Sequence, residues 1–230
     1  FVTGAKALIS LAGPANKQGR IAADNICGIP SEYCGSQGSS VIKVFDMTVA
    51  TTGINERAAQ AAGINCQSVG LSPSSHAGYY PGGKVMTMKV VFERGTYRLL
   101  GAQIMGYESV DKRIDVLATA LRAGLKATEL KDLDLAYAPP YSSAKDPVNM
   151  AGFMIENIAH GILKQWHLAD ADTLPRGGSV TLLDVRTTGE FAQGHIDGFV
   201  NIPVDELRER LGELDRGKPV YVICQSGLRS

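Results

Sequence analysis

Cysteine is scarce in this sequence, with four in 230 residues and no CxxC pair among them. That is too few for a disulfide scaffold, so Cys27, Cys34, Cys66 and Cys224 are expected as reduced thiols. An excess of one charge is missing as well. Lys plus Arg and Asp plus Glu both number 23, which removes the basic surplus that nucleic acid or an anionic membrane would favour in a partner. No apolar run approaches the ~20 residues needed to cross a bilayer. The first residues lack the basic-then-apolar layout of a secretory signal. A soluble, cytoplasmic protein is the expectation, with no membrane and no nucleic acid among its partners. No GxGxxG follows a strand, so a dinucleotide-binding βαβ unit is not expected within these residues. Internal repeats and low-complexity tracts are lacking too.

What is present is a globular composition: 44% apolar residues in a length that suits one large domain or two ordinary ones. The opening stretch offers a helix start, with Gly13 at the N-cap, Pro14 at the first helical position and Ala15 to Ile26 as the body. β-branched and aromatic content predicts strands over Val41 to Thr51, Val85 to Phe92 and Tyr97 to Met105, with a further one over Ile64 to Leu71. Asn55 to Ala62 reads as a short helix ending at Gly63. Over Val110 to Ala123 the residues Ile114, Leu117, Ala118 and Leu121 recur at helical spacing, and Gly124 supplies the stop. Asp146-Pro147-Val148 repeats the cap-then-proline pattern and opens a helix to about Leu163. Strands followed by helices make this region α+β.

After Trp166 a polar connector rich in Asp, Pro and Gly separates off a second unit, and the boundary is expected there. Strand Val180 to Val185, helix Thr188 to Gln193, helix Val204 to Leu214 and strand Pro219 to Ile223 alternate as in a parallel sheet. Thr187 and Glu190 have capping-box spacing.

The strongest chemical signal is Cys224, which ends the last apolar strand and opens the loop Cys224-Gln-Ser-Gly-Leu-Arg-Ser230. A short glycine-containing loop can converge backbone N–H groups on the sulfur and lower its pKa, while Arg229 adds positive charge and the thiolate serves as nucleophile. By itself the cysteine reads more readily as a buried, inert strand end. Cys27, Cys34 and Cys66 have no such flanks and read as structural.

The surroundings of Cys224 favour the first reading. Leu182-Leu-Asp-Val-Arg186, Glu190, Gly194-His-Ile-Asp-Gly198, Asn201-Ile-Pro203 and the Cys224 loop together resemble the rhodanese family, with Phe199 where that family often has alanine. The resemblance implies a persulfide on Cys224, cradled by Gln225 to Arg229. Asp184, Arg186 and His195 read as structural partners of the first strand and turn. A rhodanese domain needs further elements after its loop, so this one is expected to be truncated.

Residues 1 to about 163 resemble the C-terminal part of the coenzyme A-disulfide reductase group of pyridine-nucleotide disulfide oxidoreductases, which includes NADH oxidases and NADH-dependent persulfide reductases. The carrying motifs are Leu11-Ala-Gly-Pro-Ala-Asn-Lys-Gln-Gly-Arg20, His76-Ala-Gly-Tyr-Tyr-Pro81, Asp111-Lys-Arg-Ile-Asp115 and Tyr137-Ala-Pro-Pro-Tyr-Ser-Ser-Ala-Lys-Asp-Pro-Val-Asn149. The two resemblances imply an α+β dimerisation domain of a flavin disulfide reductase followed by a truncated α/β rhodanese-like domain. The implied limits are 1–30 for the end of an FAD-binding domain, 31–165 for the dimerisation domain and 166–230 for the incomplete rhodanese part. Phe1 and Ser230 are both expected to be cuts.

On the same resemblance, the helix start at Gly13, Pro14, Ala15 and Asn16 faces FAD, where free N–H groups and the dipole suit the charge of a reduced flavin. On residues alone it is as well a plain surface helix. Tyr79 and Tyr137 are implied to reach a partner subunit's substrate site and donate to a thiolate leaving group. Tyr80 and Tyr141 stand as alternatives, and interface filling is the competing role for all four. Lys112 and Arg113 are expected on a solvated charged face rather than at a coenzyme A phosphate. The implied cofactors are FAD and NAD(P)H, the nicotinamide site lying outside these residues, with coenzyme A as a substrate moiety and a homodimer as the assembly. Three readings follow: a reductase of coenzyme A disulfide, persulfide or polysulfide; an NADH oxidase-like flavoprotein with an accessory rhodanese domain; and a non-enzymatic dimerisation and sulfur-binding module.

Overall fold

The computed structural model describes residues 1–227 and 229–230. Leu228, part of the Cys224 loop, lies outside the described residues. Contacts divide the chain into two compact units, Phe1–Gly70 with Ser74–Lys164, and Leu71–Pro73 with Gln165–Ser230. Among the described residues no helix is long and apolar enough to cross a membrane.

The first unit opens with α1 (Ala12–Ile26), none of whose residues is buried. It begins earlier than the glycine and proline suggest. Leu11 is the N-cap in extended conformation, which puts Gly13 and Pro14 inside the first turn. Proline is tolerated there because the first-turn N–H groups have no intrahelical acceptor. A five-stranded sheet follows in the order β1-β2-β5-β4-β3, formed by Ser40–Val44, Met47–Gly53, Leu99–Gly106, Met86–Glu93 and Cys66–Leu71 respectively. The single strand read from Val41 to Thr51 is in fact the hairpin β1–β2, paired from Ser40–Thr51 to Val44–Met47. Its turn places Phe45 at φ 53°. A bulky residue rarely takes that conformation, so the turn carries none of the usual glycine or asparagine signal.

Met86, Met88 and Val90 of β4 alternate inward, and β5 contributes the buried Ala102 and Ile104. Side chains of one face lie two residues apart in a strand, so this is one buried surface. Against the sheet packs α3 (Val110–Ala123), through the buried Val110, Ile114, Leu117 and Leu121. Each such side chain contributes about 1.5–3 kcal/mol when fully buried. The helix ends where the sequence signals, at Gly124 with φ 75°. A smaller cluster of Ala59, Val91 and Leu100 is covered in part by Ile54 and Ile64, Ala59 belonging to α2 (Glu56–Ala61).

Downstream, a 3-10 turn at Ala127–Asp132 packs on α4 (Pro147–Ala159). Gly152 makes that approach possible, since a Cβ there would stand 2.3 Å from the Lys131 nitrogen. Asp146 caps α4, its carboxylate accepting from the Val148 N–H at 3.0 Å. The helix ends at Ala159 rather than near Leu163, because Gly161 adopts φ 71° and Ile162 N–H turns back to the Asn157 carbonyl. Ile162, past the end of the helix, is consequently exposed.

In the second unit three strands pair in parallel in the order β7-β6-β8. They are Val200–Asn201, Thr181–Asp184 and Val220–Ile223. The parallel sheet accords with the alternation in the sequence; the two-residue β7 had no signal. Helix α5 (Thr188–Ala192) has the Thr187–Glu190 capping box. Helix α6 covers only Val204–Leu207 and is followed by a 3-10 turn at Leu211–Glu213. The break in the expected helix still delivers both Leu207 and Leu214 to the cluster of Leu183, Val185 and Ile202, where Cys224 also packs.

Candidate functional site

Two chemically distinct places emerge, one in each unit. In the first, the loop between β3 and β4 carries Tyr79, and the loop between the 3-10 turn and α4 carries Tyr137. The two phenol oxygens meet at 2.6 Å, on side chains that are both exposed, 76% for Tyr79 and 44% for Tyr137. The hydrogen bond with Tyr79 is the main cause that lifts the Tyr137 pKa above the usual phenol value, with slight desolvation adding to it. Such a pair keeps a proton available at neutral pH and presents it to solvent, the arrangement required of a donor to a departing thiolate. Tyr80 is drawn aside into an edge contact with His76, ring centroids 5.5 Å apart. Tyr141 is exposed, and its backbone carbonyl accepts from Arg113.

Arg113 is not on a solvated face. Its side chain is fully buried and paired with Asp146 at 2.9 Å, which corrects the expectation for that residue. The signal was present: position 113 falls on the buried side of α3, beside Val110 and Ile114. Lys112 does remain at the surface and reaches the Ala136 carbonyl at 3.4 Å.

In the second unit, Cys224 stands at the end of β8, half-buried. Its sulfur receives the Gly227 N–H at 3.1 Å and lies 3.2 Å from the Ser230 hydroxyl. Burial pushes the thiol pKa up, but hydrogen bonds from the Ser230 hydroxyl and from the backbone N–H groups of Arg229, Ser226 and Ser230 outweigh it, and the net direction is down. The Arg229 guanidinium is engaged elsewhere: it makes two 2.7 Å bonds to Glu190. Glu190, read from the sequence as a helix cap within the rhodanese-like pattern, therefore holds the loop, and its own pKa falls to about 2, chiefly through Arg229 and then the Thr187 N–H. Asp184 and Arg186 form a bidentate pair, with Asn201 bridging their carbonyls. His195 stacks on Phe191 with centroids 3.9 Å apart. These are scaffolding contacts, as the sequence suggested.

The loop geometry carries an expected result. A depressed carboxylate contributes its pairing fully above its ordinary value of 4.5 and loses it as pH falls toward about 2. Glu190→Gln imitates that loss at neutral pH. It will release the loop, move the alkylation midpoint of Cys224 upward and slow its reaction with iodoacetamide at pH 7 by about 3- to 10-fold. An unchanged midpoint would show that the N–H donors keep their places without the ion pair.

The start of α1 borders an open cavity of about 1150 Å³ whose lining includes Gly13, Pro14, Asn16, Arg20, Asp115 and Arg122. Ala15 lines a neighbouring hollow of about 620 Å³. No side chain caps this helix N-terminus and no acid occupies its first turn. The Asn16 amide turns back to the Ala12 carbonyl and the Ala15 N–H bonds the Leu11 carbonyl, while Gly13, on the cavity lining, holds a first-turn N–H with no intrahelical acceptor. These residues suit the electron-rich edge of a flavin as one wall of its site.

Comparison with known proteins bears on both places. Residues 39–147 match the model for the pyridine nucleotide-disulphide oxidoreductase dimerisation domain, and residues 167–230 match that for the rhodanese-like domain. A coenzyme A disulfide reductase of Staphylococcus haemolyticus is 37% identical over 153 residues, covering 66% of this chain and 34% of the relative. Among solved structures, the reduced CoADR-RHD of Bacillus anthracis superposes with a TM-score of 0.93 at 47% identity, over 99% of this chain and 41% of that one. The NAD-dependent persulfide reductase of A. fulgidus gives 0.89 at 39% identity, again over 99% of this chain and 41% of the other. The chain thus spans about a third of the length of the curated relatives it matches.

Proposed function

We propose, from a chain that belongs to the pyridine nucleotide-disulphide oxidoreductase group carrying a rhodanese-like domain, that it serves an FAD-dependent, NAD(P)H-using reductase of coenzyme A disulfide, persulfide or polysulfide. In this reading residues 1–30 close the FAD-binding domain, 31–165 form the dimerisation domain of a cytoplasmic homodimer, and 166–230 open the rhodanese-like domain. Bound flavin would carry electrons from the nicotinamide to the acceptor. The residues of this chain do the rest: Gly13 to Asn16 line the flavin, with the first-turn Gly13 N–H free to donate to it, and the Tyr79–Tyr137 pair serves the acceptor. When the acceptor disulfide is reduced, one sulfur leaves as thiolate, and the phenols donate a hydrogen bond or proton to it.

Cys224 contributes sulfur handling. Its thiolate attacks the outer sulfur of a persulfide donor, forming a Cys224 S–S bond while the donor's S–S bond breaks and its inner sulfur departs as thiol. Arg229 and Glu190 hold the loop that receives the persulfide. The observation that carries the reading is the 2.6 Å contact of the two exposed phenols in a chain that also holds a thiol of lowered pKa. The test is anaerobic NADH consumption by the full-length protein with coenzyme A disulfide and coenzyme A persulfide as acceptors. Strong acceptor-dependent turnover is expected. Turnover with oxygen alone would replace this reading with that of an oxidase.

A further inference from the structure

We infer that Arg113 is a positioning residue for the tyrosine pair, an inference that rests on the proposed role of Tyr79 and Tyr137. The starting point is an energetic mismatch. A hydrogen bond between two water-exposed phenols is worth little on balance, about 0.5–1.5 kcal/mol, and each ring swings about two side-chain torsions. Such a contact cannot keep two separate loops together. The meeting of the rings must be inherited from the backbones beneath them.

Each backbone is locally tight. In the first loop the Ser75 N–H bonds the Lys84 carbonyl at 2.8 Å, and the Tyr80 N–H closes a turn on the Ala77 carbonyl at 2.9 Å, with Tyr79 inside it. In the second, the Tyr141 N–H closes a turn on the Ala138 carbonyl at 2.9 Å, with Tyr137 at its lip. The foot of that loop is tied down by the Asn149 amide, which reaches the Leu130 and Leu133 carbonyls at 3.0 and 2.9 Å.

What joins the two loops is Arg113, helped by one backbone bond from the Ala77 N–H to the Ser142 carbonyl at 3.0 Å. Its Nη2 donates to the Ser75 carbonyl at 3.0 Å and to the Tyr141 carbonyl at 3.3 Å, one carbonyl from each loop. The same nitrogen meets the Ser142 hydroxyl at 3.1 Å and the Asp146 carboxylate at 2.9 Å. Nε adds a 3.2 Å bond to Asp146, and Nη1 a 3.3 Å bond to the Ser109 carbonyl of its own helix. Asp146 in turn accepts from the Ser142 hydroxyl at 2.7 Å and caps α4. Arg113, Ser75, Ser142 and Asp146 are all nearly or fully buried.

A buried ion pair is a costly way to stabilise a fold, and apolar residues of equal volume often do as well. What apolar residues cannot do is aim donors at two carbonyls on two loops. The planar guanidinium can, because its N–H groups point in fixed directions, whereas an ammonium is a compact point charge. The chain therefore spends a buried charge on the relative placement of the loops, and Tyr79 and Tyr137 ride on them.

The test uses the full-length flavoprotein with Arg113→Lys, and with Ser142→Ala as the milder change should the first fail to fold. Flavin content and the rate of anaerobic flavin reduction by NADH are expected to match the wild type, since neither depends on the tyrosine loops. Reoxidation by the disulfide acceptor is expected to slow by about 10-fold or more, the scale of a misplacement near 1 Å. In a Tyr137→Phe background the same change should add less than about twofold, since coupled residues are not additive. Full multiplication of the two effects, or wild-type reoxidation in both variants, would overturn the positioning role alone. If Tyr137→Phe by itself reoxidises like the wild type, the tyrosine reading falls and this inference with it.

Discussion

Tyr137→Phe is expected to lower acceptor-dependent turnover of the full-length enzyme by about 10²- to 10³-fold, the range that removal of a positioned proton donor produces. The substitution takes away one oxygen and leaves the ring, so packing and flavin content should be unaffected. Tyr79→Phe should behave similarly, because each phenol orients the other across 2.6 Å. The double variant should be little worse than either single one, as groups acting as a unit are far from additive. Tyr80→Phe and Tyr141→Phe are the controls, since neither hydroxyl meets the pair. The pH dependence has a definite sign. The Tyr137 pKa is raised, first by the Tyr79 hydroxyl, so the protonated donor persists through the neutral and mildly alkaline range. The falling limb of kcat should lie above the ordinary phenol value. Stopped-flow reoxidation of the reduced flavin across pH measures this directly. Equal loss in Tyr141→Phe and Tyr137→Phe would move the role to another phenol.

The second large effect is expected at Cys224. Cys224→Ser should cut sulfur transfer from a persulfide donor by at least about a thousandfold, because a hydroxyl has neither the ionisation nor the nucleophilicity of a thiolate. Reduction of coenzyme A disulfide should survive in the same variant, since the tyrosines and flavin do not need the rhodanese thiol. For the wild type, a lowered thiol pKa means that the thiolate is present above that value and is lost as pH falls through it. The rising limb of sulfur transfer should therefore lie below the ordinary thiol value of 9.0. Rates of alkylation by iodoacetamide against pH give the same midpoint without any turnover. If Cys224→Ser impairs disulfide and persulfide acceptors alike, the two activities are not separable and the division of labour is wrong.

Much of this was legible along the chain. The apolar periodicity of Val110 to Ala123 and the glycine after it set a helix whose bounds the structure repeats residue for residue. The caps at Asp146 and Thr187 are local chemistry and were read as such. Cys224 could be singled out because a strand end, a glycine and an arginine lie within a few residues of one another. Where local signals were absent, reading failed. The Phe45 turn has no turn residue at its left-handed position, so one strand was expected where a hairpin exists. Leu11 replaces Gly13 as the cap of α1, and no side-chain acceptor for the first-turn N–H groups marks that start in the sequence.

The sequence by itself determined the helical periodicities, the caps at Asp146 and Thr187 and the alternation of strand and helix, all of which arise from interactions between near neighbours in the chain. The tertiary structure alone decided that Tyr79 and Tyr137 touch, that Arg113 lies beneath both their loops, and that Glu190 rather than the sulfur takes the Arg229 guanidinium. Each of these joins residues far apart in sequence, and no spacing rule encodes which loop a buried guanidinium will find. The physical reason is that a charge taken out of water must be met by acceptors on every side, and only the packed fold determines which acceptors those are.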